Sequence, residues 1–354
     1  MHQRLLRALQ SVANVRLVAA LRDDRLAFPK TELRVFIPDV HLISEQRRIQ
    51  GGFRYSTNHT DLLTRVAVAL KNLAGQAAAG ETLITYQVGD LFDLWRESSG
   101  LDNQVDIAAR IKLDHDRLIR ALFDADLNTQ FLLGNHDFDL YRWPNYSGWA
   151  RRYYFPRGAP QAVLLHGDIF DWIERFPDGI QDLIVFLFSP HAKANQYALG
   201  RMRDKIRLTH AGNPYTAFLQ NAKAASLGAL RSVDDGIPSR WNVQQDTSLF
   251  LNAAYECCHK ANTEYQMNLK VAVIGHTHHA RIAVKESPDG ELFTLIDCGA
   301  WIEECIADGD GGPSPNAQIA ALGANEARIY QLSPLRLVGQ ADSLRPIVNR
   351  LSGF

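Results

Sequence analysis

The chain lacks the cysteine pattern of a disulfide-stabilised or zinc-ribbon protein. It has 354 residues but only 4 cysteines. None forms a C-x-x-C pair, and the adjacent Cys257 and Cys258 are poorly placed to form a disulfide with each other. Sparse cysteines without paired spacing are typical of a reducing compartment, so we expect a cytoplasmic protein.

Long apolar runs are also missing. The longest strongly apolar run is "LIVFLF" at 183–188, whereas a transmembrane helix needs about 20 apolar residues. Residues 1–32 begin with leucines at helical spacing, interrupted by Arg4, Arg7 and Arg16. That pattern predicts a helical extension and is unlike a signal peptide. We expect no transmembrane segment, while peripheral contact with a membrane surface remains open.

An excess of charge of either sign is absent as well. Lys and Arg total 38 against 39 Asp and Glu, for a net charge of −1. No global basic field favours nucleic acid as a partner, so any phosphate binding must come from local groups. The apolar content of 46% and the charged content of 22% are ordinary for a globular protein.

The patterns that are present alternate between strand and helix. Helices are predicted at 61–75 and 105–124, and late strands at 292–297 and 327–333. Short apolar runs predict five earlier strands, at 33–37, 82–88, 129–133, 161–165 and 269–274. This order favours a layered α/β protein. Residues 33–169 and 269–354 would form the core, and 170–268, with few strand signals, a helical insertion.

Each of the five early strands ends in a polar cluster. In chain order the clusters are "PDVH", "GDLFD", "GNHD", "HGD" and "GHTH". Ligands of open α/β sheets bind beyond the carboxyl ends of strands. The strand ends would therefore bring together Asp39, His41, Asp90, Asn135, His136, His166, His276 and His278.

Carboxylates and imidazoles packed this closely need cations, because their desolvation and mutual repulsion are otherwise unfavourable. The donors are carboxylate, imidazole and one amide oxygen, with no thiolate. That set suits two first-row divalent ions about 3.5–4 Å apart, bridged by one carboxylate. We expect two ions drawn from Mn, Fe, Zn and Co, with Mn favoured.

The order of these motifs resembles the calcineurin-like metallophosphoesterase superfamily over about 33–300, with the insertion unmatched. The resemblance implies a four-layer αββα sandwich carrying the insertion as a cap. It implies a phosphoester or pyrophosphate hydrolase whose nucleophile is a metal-bridging hydroxide. By the same resemblance, Asp39, His41, Asp90 and His278 would bind one metal, and Asp90, Asn135, His166 and His276 the other.

The resemblance also assigns roles to residues outside the metal ligands. His136 would serve the leaving-group oxygen, and Asp137 would orient its ring. Asp93 is interpreted as an outer support or a helix cap. Arg54, His279 and Arg203 are candidates for substrate contact, although each is also explained as an ordinary surface residue.

The substrate is predicted only as a class. "GDLFDLW", the long insertion and "CGAW" are similar to the UDP-2,3-diacylglucosamine pyrophosphate hydrolase branch, which often has Arg where this chain has His136. A broad phosphodiesterase, a phosphoprotein phosphatase and a nuclease are alternatives, and the neutral charge argues mildly against the nuclease. A non-enzymatic scaffold would have lost metal ligands, and none is lost here. The sequence leaves the oligomeric state open.

Overall fold

A computed structural model describes most of the predicted core. The described residues are 1–24, 26, 28–46, 57–94, 104–127, 129–137, 140, 150–151, 153–156, 159, 161–170, 247–287, 290–301 and 317–335. The predicted insertion lies outside the described residues between 171 and 246, as do Arg54 and Arg203.

The described elements alternate as the sequence predicts. The helices are α1 (His2–Gln10), α2 (Thr57–Gly75), α3 (Gln104–Asp114), α4 (Asp116–Leu122) and α5 (Thr247–Tyr265), with a 3₁₀ turn at Asp168–Phe170. The strands are β1 (Ala13–Arg22), β2 (Glu32–Ile37), β3 (Thr82–Val88), β4 (Gln130–Leu132), β5 (Ala150–Arg151), β6 (Tyr153–Tyr154), β7 (Ala162–Leu165), β8 (Val271–Ile274), β9 (Ala280–Glu286), β10 (Leu292–Cys298), β11 (Gln318–Gly323) and β12 (Glu326–Pro334). Every predicted strand is present.

These strands form two mixed sheets. The first has the order β1-β12-β11-β2-β3-β4-β5, and the second has the order β6-β7-β8-β10-β9. Strands β2, β3 and β4 pair in parallel in the first sheet, and β7, β8 and β10 do so in the second. Parallel pairing brings the carboxyl ends of neighbouring strands to one edge, where the polar motifs follow.

The core shows four layers. Strand residues alternate between faces, so Leu33 and Val35 of β2 pack with the helices α1 to α4, while Phe36 packs between the sheets. Val273 of the second sheet meets Phe36 in that middle core. Val163 faces the opposite way and packs with α5. The fold is the predicted αββα sandwich.

Helix α5 corrects one predicted boundary. The sequence pattern predicts an insertion up to residue 268, but α5 packs on the outer face of the second sheet. Phe250, Ala254, Cys257 and Ala261 recur at helical spacing, and all four are buried against that sheet. This stripe makes α5 the fourth layer of the sandwich, so Thr247–Tyr265 belongs to the core.

The N-terminal segment corrects a second prediction. Residues 1–32 were expected to be helical, but the helix ends at Gln10 and β1 follows. Strand β1 pairs antiparallel with β12, from Ala13 opposite Pro334 to Arg22 opposite Glu326. A partner some 300 residues away determines this strand, and such tertiary pairing overrides local propensity.

The predicted helix at 105–124 is divided into α3 and α4 at His115. The His115 ring is buried, and its Nε2 lies at hydrogen-bond distance, 2.7 Å, from the backbone oxygen of Ile43. This contact holds the junction against the loop after β2. Among the described residues, no helix is long and apolar enough to cross a membrane.

The docking of α1 onto the helical layer can be tested by a pair of leucine substitutions. Leu9 of α1 is fully buried, whereas Leu113 of α3 is 77% exposed. We expect Leu9→Ala to lower the free energy of unfolding by about 2–5 kcal/mol, because it leaves a cavity. Leu113→Ala should change it by no more than about 0.5 kcal/mol. Urea unfolding of both variants measures the difference, and equal effects would contradict the packing of α1.

Candidate metal centre

The predicted ligands follow five strands from both sheets and meet at one edge of the sandwich. Asp39 and His41 follow β2, Asp90 follows β3, Asn135 follows β4, His166 follows β7, and His276 and His278 follow β8. The first sheet thus supplies all three oxygen donors, and the second sheet supplies three imidazoles. The site therefore depends on how the two sheets pack.

Asp90 lies between two groups of ligands. Its Oδ2 atom is 3.1 Å from His166 Nε2 and 3.7 Å from His41 Nε2. Its Oδ1 atom accepts a 2.8 Å hydrogen bond from the backbone N–H of His136. One oxygen is thereby fixed to the protein while the other faces both groups, which is the geometry expected of a bridging carboxylate.

The first group consists of Asp39, His41 and His278. His278 Nε2 lies 3.2 Å from Asp39 Oδ2 and 3.2 Å from His41 Nε2. The backbone N–H of His276 donates to Asp39, at 2.9 Å from Oδ2. This amide holds the carboxylate of the first sheet against the loop of the second sheet.

The second group consists of Asp90, His166 and His276, with Asn135 beside it. Asn135 Oδ1 lies 3.1 Å from His166 Nε2. His166 Nδ1 is 3.0 Å from the backbone oxygen of Val88, so Nδ1–H can donate there while Nε2 faces the group. A histidine whose other nitrogen donates to a carbonyl is the usual arrangement of a metal ligand.

These distances fit two divalent ions. Two donors at right angles around an ion, each about 2.1 Å from it, lie about 3 Å apart. The separations of 3.1–3.2 Å among His278, Asp39, His166 and Asn135 match that spacing. The donors are all nitrogen and oxygen, which suits first-row divalent ions better than thiolate-seeking ones.

The backbone at the ligands is strained. His41, Asp90, His276 and His278 have φ angles of 52°, 51°, 68° and 59°. The left-handed region costs a non-glycine residue about 1–2 kcal/mol. Strain of this kind concentrates at functional sites, where the surrounding structure holds it in place.

Two glycines make room for the ligands of neighbouring motifs. A Cβ atom on Gly134 would lie 2.0 Å from Asp90 Oδ1, and one on Gly275 would lie 2.1 Å from Asp39 Oδ1. Any side chain at either position would displace a carboxylate. The glycines of "GNHD" and "GHTH" are thus required by the ligands of other strands.

Electrostatics within the cluster show how strongly it favours positive charge. Burial alone would raise the pKa of Asp90, but the rings of His166, His136 and His41 hold that pKa well below its usual range. Burial opposes protonation of His166, yet Asp90 and Asp39 raise its pKa to about 10. Metal ions would have to displace this proton, since a ligating imidazole is neutral.

Asp93 contacts two of the histidines. Its Oδ1 atom lies 2.8 Å from His136 Nδ1, and its Oδ2 atom lies 3.3 Å from His41 Nδ1. Each ring therefore presents its Nε2 away from Asp93. Asp93, His41 and His136 are close enough to hold an ion themselves, but the contacts through Nδ1 favour an orienting role for the fully buried Asp93.

The structure corrects the role predicted for Asp137. Asp137 accepts hydrogen bonds from the backbone N–H groups of Gly134 and Leu91, both at 2.8 Å, and of Phe92 at 3.3 Å. It ties the loop after β4 to the loop after β3, while Asp93 makes the contact with the His136 ring. Burial and the nearby Asp90 raise the pKa of Asp137 to about 7.

Sequence reasoning missed a buried network behind "GHTH". The Thr277 hydroxyl donates a 2.5 Å hydrogen bond to Asp297 Oδ2 and accepts one from the backbone N–H of His279 at 3.1 Å. Arg281 Nη2 lies 3.1 Å from the same carboxylate oxygen. Burial raises the pKa of Asp297 to about 7, although Arg281 opposes this. An acid near the end of the apolar run "LFTLID" was the available signal.

The substrate candidates are only partly described. His279 is half-buried, and its backbone supports the Thr277 hydroxyl. His136 is 18% exposed at the side chain, so its ring reaches the surface of the cluster.

Comparisons with known proteins give a structural likeness and no sequence match. No protein-family model matches the chain, and no curated protein matches it. Among solved structures, the chain is similar to a dimetal phosphatase from Danio rerio at 12% identity and a TM-score of 0.38. That alignment covers 84% of this chain and 97% of the other.

Proposed function

We propose that this chain is a hydrolase that uses two divalent metal ions to cleave a phosphoester or pyrophosphate bond. The observation that carries the proposal is the position of Asp90. One of its oxygens faces His166 Nε2 at 3.1 Å and His41 Nε2 at 3.7 Å, so a single carboxylate serves both ligand groups. A bridging carboxylate between two ions is the basis of two-metal hydrolytic chemistry.

The ligand groups divide between the two ions. Asp39, His41 and His278 would hold one, and Asn135, His166 and His276 the other, with Asp90 shared. We favour manganese, given the oxygen and imidazole donors. When bound, the ions would supply Lewis acidity toward phosphoryl oxygens and an activated water.

The chain itself would supply a proton through His136. Asp93 lies at hydrogen-bond distance from His136 Nδ1 and is fully buried, whereas the His136 side chain is 18% exposed. Asp93 therefore favours the protonated ring and directs Nε2 outward. From there Nε2–H can donate to the departing oxygen of a phosphoester, which is general-acid catalysis.

A non-enzymatic scaffold is disfavoured by the integrity of the site. All seven proposed ligands converge, and four of them keep a strained backbone. A binding scaffold would gain nothing from that strain. The lipid-linked nucleotide substrate suggested by the resemblance would depend on the predicted insertion at 170–268, of which 171–246 lie outside the described residues.

The bridging role of Asp90 can be tested by metal analysis. We expect Asp90→Asn to reduce bound metal from about two equivalents to one or fewer, because neutralising the shared carboxylate weakens both sites. Asp116→Asn, on the exposed surface of α4, should retain both. Metal content after gel filtration is the measurement, and two retained equivalents in Asp90→Asn would exclude the bridge.

The acid role of His136 can be tested by the dependence on leaving group. His136→Ala should retain its metals but slow turnover by about 10²–10⁴-fold on alkyl esters. The loss should be smaller for aryl esters, whose leaving groups need little protonation. His259→Ala, an exposed histidine on α5, is the control.

Variants of Asp93 and Asp137 test which of these two carboxylates orients His136. Asp93→Asn should reproduce the leaving-group dependence of His136→Ala and also weaken metal binding, about 10–100-fold, through His41. Asp137→Asn should lower stability without that dependence, because Asp137 accepts only backbone amides in the contacts described above. The reverse result, measured as kcat/KM on both ester classes, would restore the role first predicted for Asp137.

A further inference from the structure

A groove with a cavity volume of about 570 Å³ lies in the outer helical layer, between α1 and α2. Residues of both helices line it, and α4 contributes Arg117. We call it the cationic groove, because its lining includes Arg4, Arg7, Arg65 and Arg117. Its volume lies within the range of about 300–1,000 Å³ that is typical of small-molecule sites.

The cationic groove is positively charged, whereas the chain as a whole is nearly neutral. The protein as a whole has slightly more acidic than basic residues, yet four arginines and no carboxylates line this groove. The Arg4 guanidinium is already engaged by Glu81 and by the backbone oxygen of Gln76. Among the residues that the structure describes, no ion pair involves Arg7, Arg65 or Arg117. The groove therefore has uncompensated positive charge.

Part of the groove's lining is apolar. Val12, Val68 and Leu73 line it beside Ala8 and Ala69. Val68 is 45% exposed, one of few large apolar side chains so exposed in the described residues. An exposed apolar surface next to unpaired cations suits a ligand with an apolar body and an anionic group.

The cationic groove is separate from the candidate metal centre. Glu81, which holds Arg4, precedes β3, whereas Asp90 follows it. The seven residues of β3 span about 23 Å. The groove thus begins near the amino ends of the parallel strands, and the metal centre lies at their carboxyl ends.

We infer that the cationic groove binds a small organic phosphate, with its phosphate groups on Arg7, Arg65 and Arg117 and its apolar body on the apolar lining around Val68. Phosphate is an anion that the planar guanidinium fork matches well, through paired charge-assisted hydrogen bonds. The inference does not depend on the proposed hydrolase activity, because none of these residues belongs to the metal centre.

Calorimetric titration of the metal-loaded chain tests the inference. The probe is α,β-methylene-ADP, which combines a phosphate group and a planar body without a cleavable bridge. Arg117→Gln and Arg65→Gln should each raise its Kd by about 10–100-fold, the effect of losing hydrogen bonds to a charged group. Arg120→Gln is the matched control, since Arg120 also lies on α4 but pairs with Asp116 and does not line the groove.

Further titrations test the phosphate group and the planar body of the probe separately, and they distinguish a protein partner from a small ligand. Pyrophosphate and adenosine alone should each bind more weakly than the probe, and Val68→Asp should weaken the probe without changing metal content. Equal Kd values for Arg117→Gln and Arg120→Gln would mean that the probe binds only elsewhere, at the metal centre for example, and would overturn the inference. Tighter binding of a glutamate-rich helical peptide than of the probe would also overturn it and indicate a protein partner.

Discussion

The carboxylate of Asp90 accepts the His136 amide on one oxygen and faces imidazoles of both ligand groups with the other. Around it, buried carboxylates and histidines are too close to be stable without shared positive charge. Asp90 and Asp39 raise the pKa of His166, so a protonated imidazole can supply part of that charge. Two metal ions would supply it fully. The loops at this edge therefore hold their carboxylates and imidazoles where bound cations would stabilise them.

The loops are held by contacts that do not themselves touch an ion. Asp137 joins the loops after β3 and β4 through three backbone amides. Thr277 and Asp297 hold the "GHTH" loop from behind. Such contacts offset the cost of the left-handed residues, about 1–2 kcal/mol each. They also explain why the motifs carry more polar residues than the metals need.

The geometry of the metal centre depends on how the two sheets of the sandwich pack against each other. His276 donates its backbone N–H to Asp39 of the other sheet, and Gly275 leaves room for that carboxylate. A shift of one sheet against the other would separate the ligand groups. The middle core of Phe36, Val273 and their neighbours therefore contributes to the site as well as to stability. The cationic groove, in contrast, depends on the helical layer alone.

Much of this arrangement could be predicted from the chain. Apolar runs of strand length predicted β2, β3, β4, β7 and β8, and the polar residues after them predicted the ligands, because strand ends converge in parallel sheets. These signals are local, because each depends on the length of one apolar run and on the residues that directly follow it. The glycines of "GNHD" and "GHTH" were visible too, although not which carboxylate each accommodates.

Other features were decided only by tertiary structure. Strand β1 forms because β12 pairs with it, and α5 joins the core because the second sheet offers a face for its apolar stripe. Two acids that lie three residues or fewer after a ligand look alike in the sequence, yet Asp93 contacts the His136 ring while Asp137 accepts from backbone amides. The residue types at the strand ends determined that metals could bind. Which carboxylate bridges the ligand groups, which orients a histidine and which supports the loops depends on distances between segments far apart in the chain. Only the folded structure sets those distances.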